Sequence, residues 1–215
     1  MPGSTLPGSL WEKVPTAIVE ADTQLRTSIV SWTEYGGPVW KFIKVITDSP
    51  VALLFFGVLL IALWVRAARE DRRSSPWTAW VAAVYVVFLA ASDIFSHSVL
   101  KKLFGRLKPH VGPYVEGSSP PLSFPSNHAF NLAFALVLVV ASCSPETRER
   151  HRSTLLLGVA LVLLVGFSRV VVGEHFPLDV LGGWLFGAIV AGLLAPLFRF
   201  LTRIWASPEY RSKGK

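Results

Sequence analysis

The sequence predicts an all-α fold: a polytopic membrane helical bundle with five strong spans, or six if the N-terminal stretch also crosses, preceded by N-terminal amphipathic helices. Three observations predict it. Hydrophobic side chains make up 52% of the 215 residues and charged ones 16%, well below the quarter usual in a soluble domain. The mean hydropathy is +0.48. The apolar residues fall into long runs with lysine and arginine gathered at their ends, the punctuation of a chain that crosses a bilayer. That clustering also argues against a nucleic-acid partner as the reason for the net charge of +7, because such a partner draws cations onto one soluble face.

Residues 1–13 begin rich in Gly, Pro and Ser and predict a disordered N-terminus. Residues 1–24 lack an apolar core between basic and small residues, which predicts no cleavable signal. In residues 14–48, apolar positions alternate with Glu20, Asp22, Arg26, Glu34, Lys41 and Lys44 and are broken at Gly36-Gly37-Pro38. Two amphipathic helices on the membrane surface avoid burying those charges. The membrane domain, residues 49–205, holds apolar runs at 51–65, 77–100, 128–143, 154–172 and 178–198. Some are shorter than the ~20 residues of a full span, so their ends borrow polar neighbours. Residues 206–215 form a basic tail. The single cysteine, Cys143, can make no intramolecular disulfide.

The connections predict orientation. Residues 66–73 carry four arginines, 148–152 carry three, and 199–215 carry five basic residues. With five spans these segments share one side, the cytoplasm by the positive-inside rule. Three polar clusters then face the exterior together.

In the first cluster Lys101, Lys102, Arg106 and Lys108 fall within eight residues at a helix end. They suit the oxygens of a phosphate, or equally a snorkelling basic collar. Upstream, Asp93, His97 and Lys101 recur every four residues, hence on one helix face, with Asp93 a supporting partner or a plain structural pair. In the second, Phe124-Pro125-Ser126-Asn127-His128 introduces an apolar helix. Ser126 or Asn127 can cap it, its backbone N–H groups form an anion cradle, and His128 beside that cradle can protonate a leaving oxygen. A capping turn with an interfacial histidine is the plainer alternative. The third, Ser168 to Asp179, sets Asp179 four residues after His175. The carboxylate can fix the imidazole tautomer and leave the other nitrogen to attack phosphorus, and Arg169 adds a forked phosphate donor. A lone His and Asp pair is more often structural; three clusters on one face favour chemistry. Metal binding competes as a reading, but the lysines and arginines repel a cation and no His-x-x-x-His or cysteine pair appears, so no metal and no cofactor is expected.

These residues resemble the three-part signature of the type 2 phosphatidic acid phosphatase superfamily, Lys-x6-Arg-Pro, Pro-Ser-Gly-His and Ser-Arg-x5-His-x3-Asp, matched in order over residues 101–179. The resemblance implies a membrane lipid phosphatase with a phosphohistidine intermediate: His175 as nucleophile, Asp179 orienting it, His128 as general acid. By the same match Lys101, Lys108, Ser126, Asn127 and Arg169 bind phosphate. Lys108 stands where the signature has arginine, exchanging a fork for a point charge, with Arg106 available to help. Asn127 stands where it has glycine, and asparagine tolerates positive φ well. The resemblance further implies a bacterial cytoplasmic (inner) membrane location with the site facing the periplasm or exterior. The candidate lipids are undecaprenyl diphosphate, lipid A 1-phosphate and phosphatidylglycerophosphate. Alternatives are a lipid phosphotransferase or a non-catalytic lipid transporter. Gly183-x-x-x-Gly187 predicts close helix packing within the chain and leaves the oligomeric state open.

Overall fold

The computed structural model describes residues 5–48, 75–109 and 121–204. Its regular elements are helical: α1 (Thr16–Val30), α2 (Pro38–Asp48), α3 (Ser75–Phe95), a π turn (Ser96–Leu100), α4 (Lys101–Phe104), α5 (Asn127–Ser142), α6 (Pro145–Arg150), α7 (Arg152–Val171) and α8 (Pro177–Ile204). Among the described residues extended pairing is limited to isolated β-bridges between connecting segments, Thr5 with Arg106 and Leu107 with Leu122.

α8 is the axis, and its most extensive contact is with α5. Glycines make the approach possible. A Cβ at Gly183 would meet the Ser126 carbonyl and the Ala129 Cβ at 2.7 Å each, and one at Gly187 would meet the Phe130 backbone. Lipid offers no hydrophobic drive between helices, so such small-residue contacts are what a membrane bundle uses. The expected intramolecular role of this glycine pair is what the geometry contains. Beyond it, Phe134, Leu138, Ala191, Ala195 and Phe198 pack with Val84 and Phe88 of α3. On the outer faces Leu156, Leu163 and Leu164 of α7 and Leu185, Ile189 and Leu193 of α8 are exposed, as suits side chains that meet acyl tails.

Three helices among the described residues are long and apolar enough to cross a membrane: Ala82–Phe104, Arg152–Val171 and Pro177–Leu201. The apolar helix Asn127–Ala141 is shorter, about 22 Å at 1.5 Å per residue against a core of ~30 Å. Five strong spans are therefore not what the described residues carry. The physical reason is that α5 begins inside the polar end of the bundle, at the site itself. The run at 51–65, the arginine-rich link at 66–73 and the tail at 206–215 lie outside the described residues.

The N-terminal part needs correction. Residues 5–13, expected to be disordered, form a short 3₁₀ turn, Leu10–Lys13, with Trp11 buried. Trp11 packs on Phe124 with centroids 4.9 Å apart, and the Leu6 N–H donates to the Gly105 carbonyl at 2.8 Å. Gly105 ends α4 with φ +62°, a conformation that favours glycine, and its bare backbone seats this segment against Ser9. The two expected helices are present as α1 and α2. Trp40, Ile43, Lys44 and Thr47 of α2 turn inward, whereas Val39, Phe42, Val45 and Ile46 are exposed.

Candidate active site

One end of the bundle collects the turn after α4, the N-terminus of α5 and the α7–α8 junction. At that junction Gly173 adopts φ +79°. The chain folds back, and the N–H groups of Glu174 and His175 donate to the Arg169 carbonyl at 3.1 and 3.2 Å. Pro177 opens α8, where its fixed φ is already helical. Asp179 lies in that first turn, its Oδ2 accepting the Phe176 N–H at 2.9 Å.

His175 Nδ1 stands 3.4 Å from Asp179 Oδ2 and 3.3 Å from Ser123 Oγ. The Ser123 hydroxyl donates to the same Oδ2. With its proton committed to the carboxylate, the serine oxygen can only accept, so Nδ1 carries the imidazole proton and Nε2 keeps a lone pair. The expected four-residue pairing of His175 with Asp179 exists as geometry. Ser123 is the participant that sequence reasoning missed, because no spacing rule links His175 to a serine 52 residues upstream.

Arg106, expected to help bind phosphate, is a correction. It is fully buried, with Nη1 2.8 Å from Asp179 Oδ1 and Nη2 2.6 Å from Asp22 Oδ2. The guanidinium carbon sits 4.2 Å from the Trp11 ring centroid and 3.6 Å from that of Phe176. Carboxylates take both arms of the fork and rings take both faces. The side chain therefore stands behind the histidine and faces no open space.

Lys101 is buried, and its ammonium donates to the Leu122 and Ser123 carbonyls at 2.9 and 3.4 Å, bracing the turn that carries Ser123. Lys108 Nζ lies 3.0 Å from Glu174 Oε2, and Lys44 Nζ 3.3 Å from Oε1 of the same carboxylate. Arg169, 1% exposed, donates from Nη2 to Thr47 Oγ1. Ser126 caps α5 in extended conformation, and its N–H donates to the Asp179 carbonyl at 2.9 Å. Ser126 Oγ and His128 Nε2 are buried atoms without a hydrogen-bond partner among the described residues. Orphaned atoms of this kind are rare and cost ~1–3 kcal/mol each. His128 lies within electrostatic reach of Arg169, His175, Lys108 and Lys101.

Three expected residues point elsewhere. Asn127 starts α5 in the helical first turn, so it needs no positive φ. Its Oδ1 accepts from Ser96 Oγ at 3.0 Å, and its amide reaches Asp93 at 3.4 Å. Asp93 accepts more closely from Asn131, at 2.7 Å, and so orients the α5 amides. His97 is exposed and stands apart from the cluster. The π turn at Ser96–Leu100 is the reason: its extra residue breaks the four-residue stagger, burying Lys101 while Asp93 and His97 face outward.

Burial chiefly pushes the His175 imidazole below its ordinary value, Asp179 pulling it back up and Lys101 and Lys108 adding to the fall. Burial raises Glu174, but Lys108 and then Lys44 overcome it and hold the carboxyl down at about 2. Among the described residues no group of three or more His, Cys, Asp or Glu side chains gathers as a metal ion would need.

The chain is similar in sequence and fold to several known proteins. A phosphatidylglycerophosphatase B of Bacillus subtilis is 31% identical over 108 residues, 49% of this chain and 52% of that one. A lipid A 1-phosphatase of Rhizobium johnstonii is 30% identical over 179 residues, 77% of this chain and 65% of that one. An undecaprenyl-diphosphatase of Bacillus subtilis is 29% identical over 155 residues, covering 69% of each. The chain thus spans about half to two thirds of the length of the first two relatives. In fold it is similar to the crystal structure of a transmembrane PAP2-type phosphatidylglycerolphosphate phosphatase from Bacillus subtilis. The TM-score is 0.58 and the identity 24%, over 90% of this chain and 88% of that one. Residues 82–203 match the family description "PAP2 superfamily", and with more than half of its length inside that match, the chain belongs to the PAP2 superfamily.

Proposed function

We propose that this chain is an integral-membrane lipid phosphate phosphatase working through a phosphohistidine. One observation carries the reading: His175 keeps Nε2 free for attack while Nδ1 is held by Ser123 and Asp179, and this histidine is flanked by Lys101, Lys108, Arg169 and His128. His175 Nε2 attacks the terminal phosphorus, and the bond to the leaving oxygen breaks as His128 supplies it a proton. The cations and the α5 N–H groups take up the charge on the phosphoryl oxygens. Water then attacks the phosphohistidine, His128 accepts its proton, and phosphate leaves with His175 restored. Asp179 holds the ring and balances its developing charge throughout.

The substrate class is a lipid carrying a terminal phosphate or diphosphate, in keeping with what the relatives are named for: phosphatidylglycerophosphate, lipid A 1-phosphate and undecaprenyl diphosphate. The site stands at the bundle end opposite the basic α6–α7 link, which by the positive-inside rule is the outer face of a cytoplasmic membrane. The exposed apolar stripe of α2 fits a helix resting in that interface. The test is phosphate release by detergent-purified protein in EDTA with those three lipids, beside His175→Ala. Release that survives EDTA and vanishes in the variant is expected; turnover that persists without His175 ends the mechanism.

A further inference from the structure

α1 is not part of the three clusters, yet it sends one carboxylate into them. Asp22 is 4% exposed, and its two oxygens do different things. Oδ1 accepts the Leu178 N–H at 2.9 Å, in the first turn of α8 next to Asp179. Oδ2 pairs with Arg106 Nη2 at 2.6 Å, off the angle of a hydrogen bond. Arg106 Nη1 in turn holds Asp179 Oδ1 at 2.8 Å, and Asp179 Oδ2 faces His175 Nδ1 at 3.4 Å. The line Asp22, Arg106, Asp179, His175 runs without a gap from a surface helix to the imidazole.

We infer that Asp22 is a positioning residue for the reaction: it balances one arm of Arg106, so that Asp179 keeps enough negative character to orient His175 and stabilise the charge that develops on the ring. This rests on the phosphatase reading above. The physics is a division of charge. A guanidinium flanked by two carboxylates leaves the trio at net −1. Neutralising Asp22 leaves Arg106 and Asp179 at net zero, and at these distances in a water-poor site the change is felt at the imidazole. Ring stacking by Trp11 and Phe176 fixes the fork, so Arg106 cannot swing away to compensate. The other charges facing this line are Arg26 from α1, Lys101 from α4, Lys108, His128 from α5, and Arg169. They are cationic apart from His128, and among the described residues the further carboxylates near them are engaged elsewhere, Glu174 by Lys108 and Lys44 and Asp93 by Asn131.

The experiment uses the full chain in detergent and the Asp22→Asn variant, which keeps the shape and can still accept from Leu178. The expected result is a kcat 10- to 100-fold lower with KM within about threefold. The acid limb of kcat/KM moves to lower pH, because removing a negative charge makes His175 harder to protonate. Asp22→Glu restores most of the kcat. Unchanged kcat and pH limb in folded Asp22→Asn protein overturn the inference and leave Asp22 a structural cap. If Asp22→Asn is not recovered folded, the charge-balanced Asp22→Asn, Arg106→Gln pair decides, because it keeps the net −1 on this line: kcat and an acid limb near wild type support the inference, and a 10- to 100-fold loss of kcat overturns it. NMR titration of His175 in the same micelles separates this from the function itself. A downward shift in Asp22→Asn with no phosphate release from any lipid keeps the positioning and sinks the phosphatase. Release with no shift sinks the positioning alone.

Discussion

Ser123 Oγ stands 3.3 Å from His175 Nδ1 while its own proton goes to Asp179. The serine is thus a spacer between base and carboxylate, taking one proton and giving another. It also explains why a His175 to Asp179 distance of 3.4 Å still defines the tautomer.

Ser123→Ala removes that spacer and leaves the pair to close directly. The expected cost is about 10-fold in kcat, ~1.4 kcal/mol, with KM nearly unchanged. Steady-state kinetics on one lipid phosphate measures it, and a KM effect larger than the kcat effect would place Ser123 on the substrate side instead.

The acid limb of kcat/KM falls below pH 6.5, the ordinary value from which burial pushes His175 down. A neutral imidazole is the attacking form, so a depressed value keeps it competent in mild acid. The stability sign agrees. With the folded value below the unfolded one, the contribution is full above pH 6.5 and is lost as pH falls further, because the unfolded chain binds the proton first. Rate profiles and thermal unfolding between pH 4 and 8, chosen as about two units either side of imidazole titration, check both.

Glu174 holds Lys108 and Lys44 together, the same ammonium groups a phosphate would meet. Glu174→Gln releases them, and KM for a lipid phosphate drops about threefold at low ionic strength, the gain shrinking as salt screens it. A rise in KM would instead make Glu174 part of the headgroup cradle.

Gly187→Ala forces a methyl against the Phe130 backbone, whereas Gly192 has open space around it. The first variant loses about 1–3 kcal/mol of stability, and the second loses none. Thermal unfolding in detergent separates them, and equal behaviour would mean that α5 and α8 do not depend on this approach.

Legibility followed the range of the signal. Apolar runs and basic ends announced the helices, and the His175 to Asp179 interval was readable because both lie within one turn of chain. What failed crosses longer distances. Arg106 looked like a phosphate ligand because its neighbours are cations, and only the fold shows Asp22 and Trp11 arriving from a segment expected to be surface-bound or disordered. His97 failed for a local reason: a counting rule of four residues per turn cannot foresee a π turn at Ser96–Leu100. The apolar run at 128–143 matches α5 in place and length, and 16 residues are too few for a full span by themselves.

The hydrogen bond from the Ser126 N–H to the Asp179 carbonyl has a consequence for how such a protein diversifies. It stitches the first turns of α5 and α8 through main-chain atoms alone, and no substitution short of proline erases a main-chain stitch. The lipid-facing surfaces can then be rewritten for a different tail, residue by residue, while the spacing between the two histidine-bearing segments is inherited intact.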